Sequence, residues 1–190
     1  MASPEILDAE HKHTLLRVAR ESIAHGLEAG CALPVTSAEH PPELQAQRAS
    51  FVTLEAEGRL RGCIGALEAR LPLVRDVAEH AYAAAFQDPR FQPVGRDELP
   101  GLSLHVSVLT PSTPFPFADE ADLVARLRPG VDGLIIACGG RRATFLPSVW
   151  EQVPSPELFL AHLKHKAGIT GVETDPLQAW RYETLSFGED

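Results

Sequence analysis

Ala49-Ser50-Phe51-Val52-Thr53-Leu54-Glu55 is followed, across Ala56-Glu57-Gly58, by Arg59-Leu60-Arg61-Gly62-Cys63-Ile64. Two runs of this composition joined by a short glycine-containing loop read as a β-hairpin. The motif recurs further along, where Asp132 or Gly133 to Cys138 and Arg141 to Leu146 flank Gly139-Gly140. Paired glycines suit the positive φ angles of a tight turn. Leu102 to Leu109 alternates apolar and polar residues, which predicts a strand with one buried face, and Ala179 to Phe187 reads as a final strand.

Helices are expected between these strands. From Asp8 to Ala29 the apolar residues Leu15, Leu16, Val18, Ala19, Ile23 and Leu27 recur at helical spacing, and Gly30 is a stop. Leu73 to Phe86 is dense in helix formers and ends before Asp88-Pro89. Asp119 to Leu127 predicts a short helix, and Pro156 to Ala167 a longer one closed by Gly168. Cys31 to Pro42 and the proline-rich stretch Pro111 to Pro116 read as loops. Strands made adjacent by hairpins, with helices interposed but no regular βαβ alternation, predict an α+β fold: a mostly antiparallel sheet with packed helices. A chain of 190 residues fits one domain or two closely associated lobes.

Composition narrows the function classes. With 17 Lys+Arg against 26 Asp+Glu the formal charge is −9, which disfavours direct nucleic-acid binding, since such binders gain affinity by releasing counterions with basic groups. No apolar run reaches the roughly 18–20 residues of a membrane span, and Met1-Ala2-Ser3-Pro4-Glu5 carries no basic, then apolar, leader, so a cytoplasmic protein is expected. Cys31, Cys63 and Cys138 are odd in number and widely spaced, neither a disulfide framework nor a zinc pattern. No Walker loop, dinucleotide-binding glycine fingerprint, HExxH or nucleophile-elbow serine occurs, and no motif names a cofactor.

The chemistry is sought around Cys63. On a strand, residues two apart share a face, so Arg61 and Cys63 are expected on one side, where a cation favours the reactive thiolate. Gly62 and Gly65 leave room for a ligand or another backbone to approach. The competing reading makes Cys63 a small buried hydrophobe, the glycines a bulge, and Arg61 solvated. A nucleophilic cysteine needs a base, for which His105 and His80 are the candidates, although His105 also suits an outward position on its strand. Asp88 and Arg90 at a helix exit could hold a polar ligand, or fix a turn by pairing with each other while Phe91 anchors in the core. Arg141 and Arg142 after the double glycine suit either an anion-binding corner or an ordinary charged hairpin. Thr144 is expected to enter the core. His162, His165 and Lys166 share a helix face that could bind metal or phosphate but reads more readily as solvated, and His11 and His13 diverge around theirs.

Leu60-Arg61-Gly62-Cys63-Ile64-Gly65 is identical to the hallmark hexapeptide of the AMMECR domain family. The resemblance continues through Ala83 to Phe91, Val106 to Leu109, Gly130 to Ile135 and Arg142 to Trp150, in that order, and the chain looks like the bacterial form of the AmmeMemoRadiSam system. It implies an α+β fold with two lobes around a cleft bordered by the hexapeptide, and encoding beside a Memo-like protein and a radical SAM protein. Those two proteins, and a small-molecule or peptide ligand, are therefore the partners expected. The family pattern suggests Ser or Thr where this chain has Ala66, so a hydroxyl beside the hexapeptide is not expected to act here. The resemblance implies no settled activity. It leaves two functions open: a cysteine-centred ligand or catalytic cleft with Cys63, Arg61 and His105 as reacting groups and Gly62, Gly65, Asp88, Arg90 and Arg142 as binding groups, or a noncatalytic adaptor in which the hexapeptide is mainly structural. A regulator of nucleic-acid machinery is a third, weaker reading.

Overall fold

The computed structural model describes residues 7–169 and 175–189. In chain order the elements are α1 (Ala9–Ala29), α2 (Pro42–Gln45), β1 (Ser50–Ala56), β2 (Arg59–Gly65), α3 (Leu73–Phe86), β3 (Leu102–Leu109), β4 (Thr113–Pro114), α4 (Glu120–Arg126), β5 (Gly133–Cys138), β6 (Arg141–Phe145), α5 (Pro156–Ala167), β7 (Gln178–Tyr182) and β8 (Thr184–Gly188). The fold is α+β, and the chain forms two compact units, one running through Leu109 and resuming at Leu185, the other spanning Thr110–Thr184.

In the first unit the sheet order is β2-β1-β3-β8, with β1 antiparallel to both β2 and β3. Val52 and Leu54 of β1 and Leu104, Val106 and Val108 of β3 bury one face against Leu15, Val18 and Ile23 of α1 and Leu73, Val77 and Ala81 of α3. A side chain of this size contributes about 1.5–3 kcal/mol when fully buried, so this face holds the unit together. The start of α1 is fixed by a capping box, the Asp8 side chain accepting from the His11 N–H while His11 reaches back, and its end by Gly30 at φ 70°. His11 therefore has a local structural task, while His13 is exposed.

The second unit has the sheet order β4-β7-β5-β6. Leu134, Ile136 and Cys138 of β5 and Ala179 of β7 pack against Phe159, Leu160 and Leu163 of α5 and Leu123 of α4. Trp150 stacks flat on Phe159 at 3.7 Å, and its Nε1 donates to the buried Asp132 carbonyl. Thr144 enters the interior as expected and is hydrogen-bonded to the Tyr182 hydroxyl at 3.0 Å.

The final strand expected over Ala179 to Phe187 is two strands, β7 and β8, one in each sheet. The break falls at Glu183, whose N–H donates to Thr110 Oγ1 and whose carbonyl accepts from the Thr110 N–H. Glu183 also pairs with Arg128, which is locked to the fully buried Asp132. Both hairpins turn in two residues with positive φ, Glu57-Gly58 in the first and Gly139-Gly140 in the second. The first loop is thus one residue shorter than Ala56-Glu57-Gly58. The proline-rich loop contains the two-residue strand β4, which the prolines conceal in the sequence.

Candidate functional site around Cys63

The hexapeptide lies on β2, the edge strand of the first sheet. Glu55 pairs with Leu60 but Leu54 pairs with Gly62, so Arg61 is the unopposed residue of a β-bulge. Beyond the bulge Gly62 and Ile64 lie opposite Leu54 and Val52 on the helix-covered face, and Cys63 lies opposite Thr53 on the other face. A Cβ on Gly62 would stand 2.2 Å from the Ala84 carbonyl oxygen of α3. One on Gly65 would meet the Phe51 ring and the Ser50 carbonyl within 2.5 Å. The space left by both glycines is filled by the protein itself, not kept for a ligand.

Cys63 is half-buried, and Thr53 Oγ1 donates to its sulfur at 3.3 Å. Its peptide is held from outside the sheet. Asp88 Oδ2 accepts the Cys63 N–H at 2.9 Å, and Arg90 Nη2 donates to the Cys63 carbonyl at 3.2 Å. Asp88 and Arg90 are themselves joined by two side-chain hydrogen bonds, 3.0 Å from Nε and 2.7 Å from Nη2. The Asp–Arg pair thus takes the place of a neighbouring strand at this point of the edge. The Arg90 guanidinium, more than any other cause, holds the Asp88 carboxyl well below the usual carboxylate range, with the Cys63 and Arg90 backbone N–H groups adding to it against the cost of burial. Arg90 is raised in turn, chiefly by Asp88 and to a smaller extent by the charge of an ionised Cys63.

Arg61 is paired with a carboxylate. Its guanidinium is bound in a fork by Glu98, Nε and Nη2 at 2.8 and 3.0 Å, and Arg61 is the main cause of the lowered Glu98 pKa. Arg61 is not solvated: its side chain is 16% exposed, and Nη1 is buried with no hydrogen-bond partner among the described residues. Phe91 is half-buried, not a core anchor, with the Arg61 and Arg90 guanidinium carbons 5.9 and 5.5 Å from its ring centre.

Neither expected base reaches the sulfur. His105 is in the same row, opposite Thr53 on β3. It is therefore two strand spacings from β2, about 10 Å. Its ring packs over Gly188, where a Cβ would come within 2.2 Å of Nδ1, and Nε2 lies 3.7 Å from Glu55. His80 is on α3, against the opposite face of the sheet. There its Nδ1 lies 3.0 Å from Asp76 Oδ2, which also accepts from Ser50 Oγ at 2.6 Å. The cysteine with a histidine neighbour is Cys31, exposed just beyond α1, its sulfur 3.7 Å from His25 Nε2.

The model of the family described as AMMECR1 matches residues 16–187. The chain belongs to the AMMECR1 family. A protein of Methanothermobacter thermautotrophicus is 37% identical over 191 residues, covering 97% of each chain. One of Methanocaldococcus jannaschii is 35% identical, covering 97% of this chain and 92% of its own. Among solved structures, an uncharacterised protein of Pyrococcus horikoshii matches with a TM-score of 0.78 and 32% identity, covering 93% of this chain and 90% of that one.

The other charged residues singled out in this AMMECR1 chain lie in its second unit. Arg142 is exposed on β6, its guanidinium carbon 5.9 Å from the Trp180 ring centre. Arg141 Nη1 donates to the Gly168 carbonyl at the end of α5, which engages one of the two arginines considered for an anion corner. His162 and His165 are exposed, and Lys166 Nζ donates to the Thr144 carbonyl. Among the described residues no group of three His, Cys, Asp or Glu side chains could hold a metal ion, and no helix is long and apolar enough to cross a membrane.

Thr53 and Glu98 escaped the sequence reading. A two-residue turn with unbroken pairing would put Thr53 opposite Gly62; the bulge moves it to Cys63. Glu98 carries no motif, and only the path of the chain after α3 brings it to Arg61.

Proposed function

We propose that this AMMECR1 chain is a thiol-centred binding protein in which Cys63 captures a small ligand, and that the site does not work as a cysteine–histidine nucleophile. The observation that carries this reading is the setting of Cys63. Its sulfur receives a hydroxyl hydrogen bond from Thr53, its peptide is pinned by Asp88 and Arg90, and both histidines are held elsewhere. A pinned peptide fixes where the sulfur points, which is what a capture site needs. Proton abstraction would need a base in hydrogen-bond reach.

The adaptor reading has its own support in the glycines, whose missing side chains are needed for packing against α3 and β1. The two readings combine: the glycines of the hexapeptide serve the fold and its cysteine serves the ligand. The Memo-like and radical SAM proteins implied by the AmmeMemoRadiSam resemblance are the partners to test first, as source or recipient of that ligand.

The test uses a Cys31→Ser background, because exposed Cys31 beside His25 is expected to react fastest. In the folded chain iodoacetamide should modify Cys63 and spare Cys138, which is buried and donates to the Asp175 carbonyl. Cys63→Ala should lower the melting temperature only slightly while abolishing labelling and retention of any co-purified ligand. Labelling of Cys63 only on unfolding, together with a large loss of stability in Cys63→Ala, would overturn the reading in favour of a structural cysteine.

A further inference from the structure

We propose that the groove between α4 and α5 is a binding site for a small amphipathic amine, a molecule with an apolar body and one ammonium group, and that Glu157 receives the ammonium. The groove lies within the second unit and owes nothing to Cys63, so the two sites stand or fall separately.

The groove arises from residue size. One face of α5 lines it at helical spacing through Glu157, Leu160, Ala161 and Lys164, and α4 lines it through Ala121, Val124 and Ala125. Leu160 and Ile169 are buried and Val124 is half-buried, which makes the floor apolar. Ala121, Ala125 and Ala161 are exposed and carry only a methyl group each, so the facing helices do not fill the space between them. A cavity of about 620 Å³ remains, open to solvent. Small-molecule pockets span roughly 300–1,000 Å³ and have this character, a mainly apolar lining with a few polar groups. The length of the groove decides against a protein segment. Helix α4 has seven residues and is therefore about 10 Å long, too short to seat the roughly 20–30 residues a side of a stable protein interface.

The charge of the ligand follows from which lining groups are already paired. Lys164 Nζ donates to Glu120 Oε1 at 2.6 Å, so these two neutralise each other. Glu157 precedes Lys164 by seven residues, about 10 Å along the same helix face, and has no basic partner among the described residues. Ser155 Oγ donates to its Oε2 at 2.6 Å and is the main cause of a lowered Glu157 pKa, which leaves Oε1 of an ionised carboxylate at the groove without a side-chain partner among the described residues. With His165 uncharged, Glu120, Glu157 and Lys164 give the lining one net negative charge. An anionic head group would find Lys164 engaged and Glu157 repelling it. An ammonium, with three donors and no acceptor, matches the open carboxylate while the body it carries covers Val124 and the alanines.

Hexylamine, hexanol and hexanoate are the probes, since they share an apolar body and differ in the charge of the head group at neutral pH. Each is titrated into the full chain and followed by the amide NMR shifts of Val124, Leu160 and Ile169. Hexylamine should bind tightest and hexanoate weakest, with hexylamine ahead of hexanol by roughly two- to five-fold, the scale of one solvent-exposed ion pair. Glu157→Gln should bring hexylamine down to the affinity of hexanol and leave hexanol unchanged. Glu151→Gln, which removes an exposed carboxylate outside the groove, should leave all three affinities as they were. Ala161→Leu, at an exposed helix position, should abolish binding of hexylamine and hexanol alike by filling the volume their chains would take. The three-probe series on the unsubstituted chain stands even if a variant unfolds. Hexanol or hexanoate binding as tightly as hexylamine, or no response of hexylamine to Glu157→Gln, overturns the choice of an amine. No shift at the groove with any probe, or shifts that Ala161→Leu leaves intact, overturns the site itself.

Discussion

Replacing Gly62 with Ala tests whether the hexapeptide is built for packing at that position. The new Cβ would lie 2.2 Å from the Ala84 carbonyl oxygen and 3.1 Å from its carbon. Ordinary C···O contacts are about 3.3–3.6 Å, so β2 or α3 must move by roughly 1 Å. Both obstructing atoms are helix backbone, which has no rotamer to change. Overpacking of this kind costs about 1–3 kcal/mol, against which alanine recovers about 0.4–1 kcal/mol by restricting the unfolded chain. The expected net loss is about 1.3 kcal/mol, or about 3–5 °C in melting temperature for a chain of this length. Urea unfolding should show the midpoint fall with the slope unchanged. Gly101→Ala is the control, since nothing lies within 4 Å of its Cβ position and its φ is outside the left-handed region. If Gly62→Ala proves as stable as Gly101→Ala, the contact with α3 is not what demands glycine, and the close-packing account of the motif fails.

Asp88→Asn should destabilise by about 2–3 kcal/mol at pH 7, the scale of hydrogen bonds to a charged group. Because the folded Asp88 pKa is lowered, its contribution is present above the unfolded value of about 3.9 and disappears as pH falls through the folded value. The variant and the parent chain should therefore converge in stability at the acid end, and a gap that stays constant to pH 2 would contradict the pairing. Tyr182, pushed up to about 12 mainly by burial, should ionise about two pH units above an ordinary tyrosine. Its folded pKa being raised, stability should decline as pH rises from about 10 to 12, and Tyr182→Phe should remove that decline in alkaline denaturation curves. In a thiol-reactivity series the order should be Cys31, then Cys63, then Cys138; Cys63 reacting before Cys31 would show an activation that the Cys31–His25 neighbourhood does not match.

Much of this protein is written in local pattern. The α1 boundaries at Asp8 and Gly30, the end of α3 near Asp88-Pro89, the two hairpins and the alternation of β3 all follow from interactions within a few residues, where capping, turn geometry and periodicity act. The turn that Asp88 and Arg90 make with each other belongs to the same class. Tertiary structure decided the rest. A single bulge at Arg61 shifts the pairing by one residue and puts Thr53, not Val52, opposite Cys63; alternation counted along one strand cannot detect a residue that its partner strand skips. The partners that define the site, Asp88 on the Cys63 N–H and Glu98 on Arg61, are 25 and 37 positions away along the chain. The division of Ala179 to Phe187 between two sheets likewise depends on Thr110 gripping Glu183 from 73 positions away. Contacts at such separations are set by the path of the whole backbone and the burial it achieves, so no window of sequence contains them.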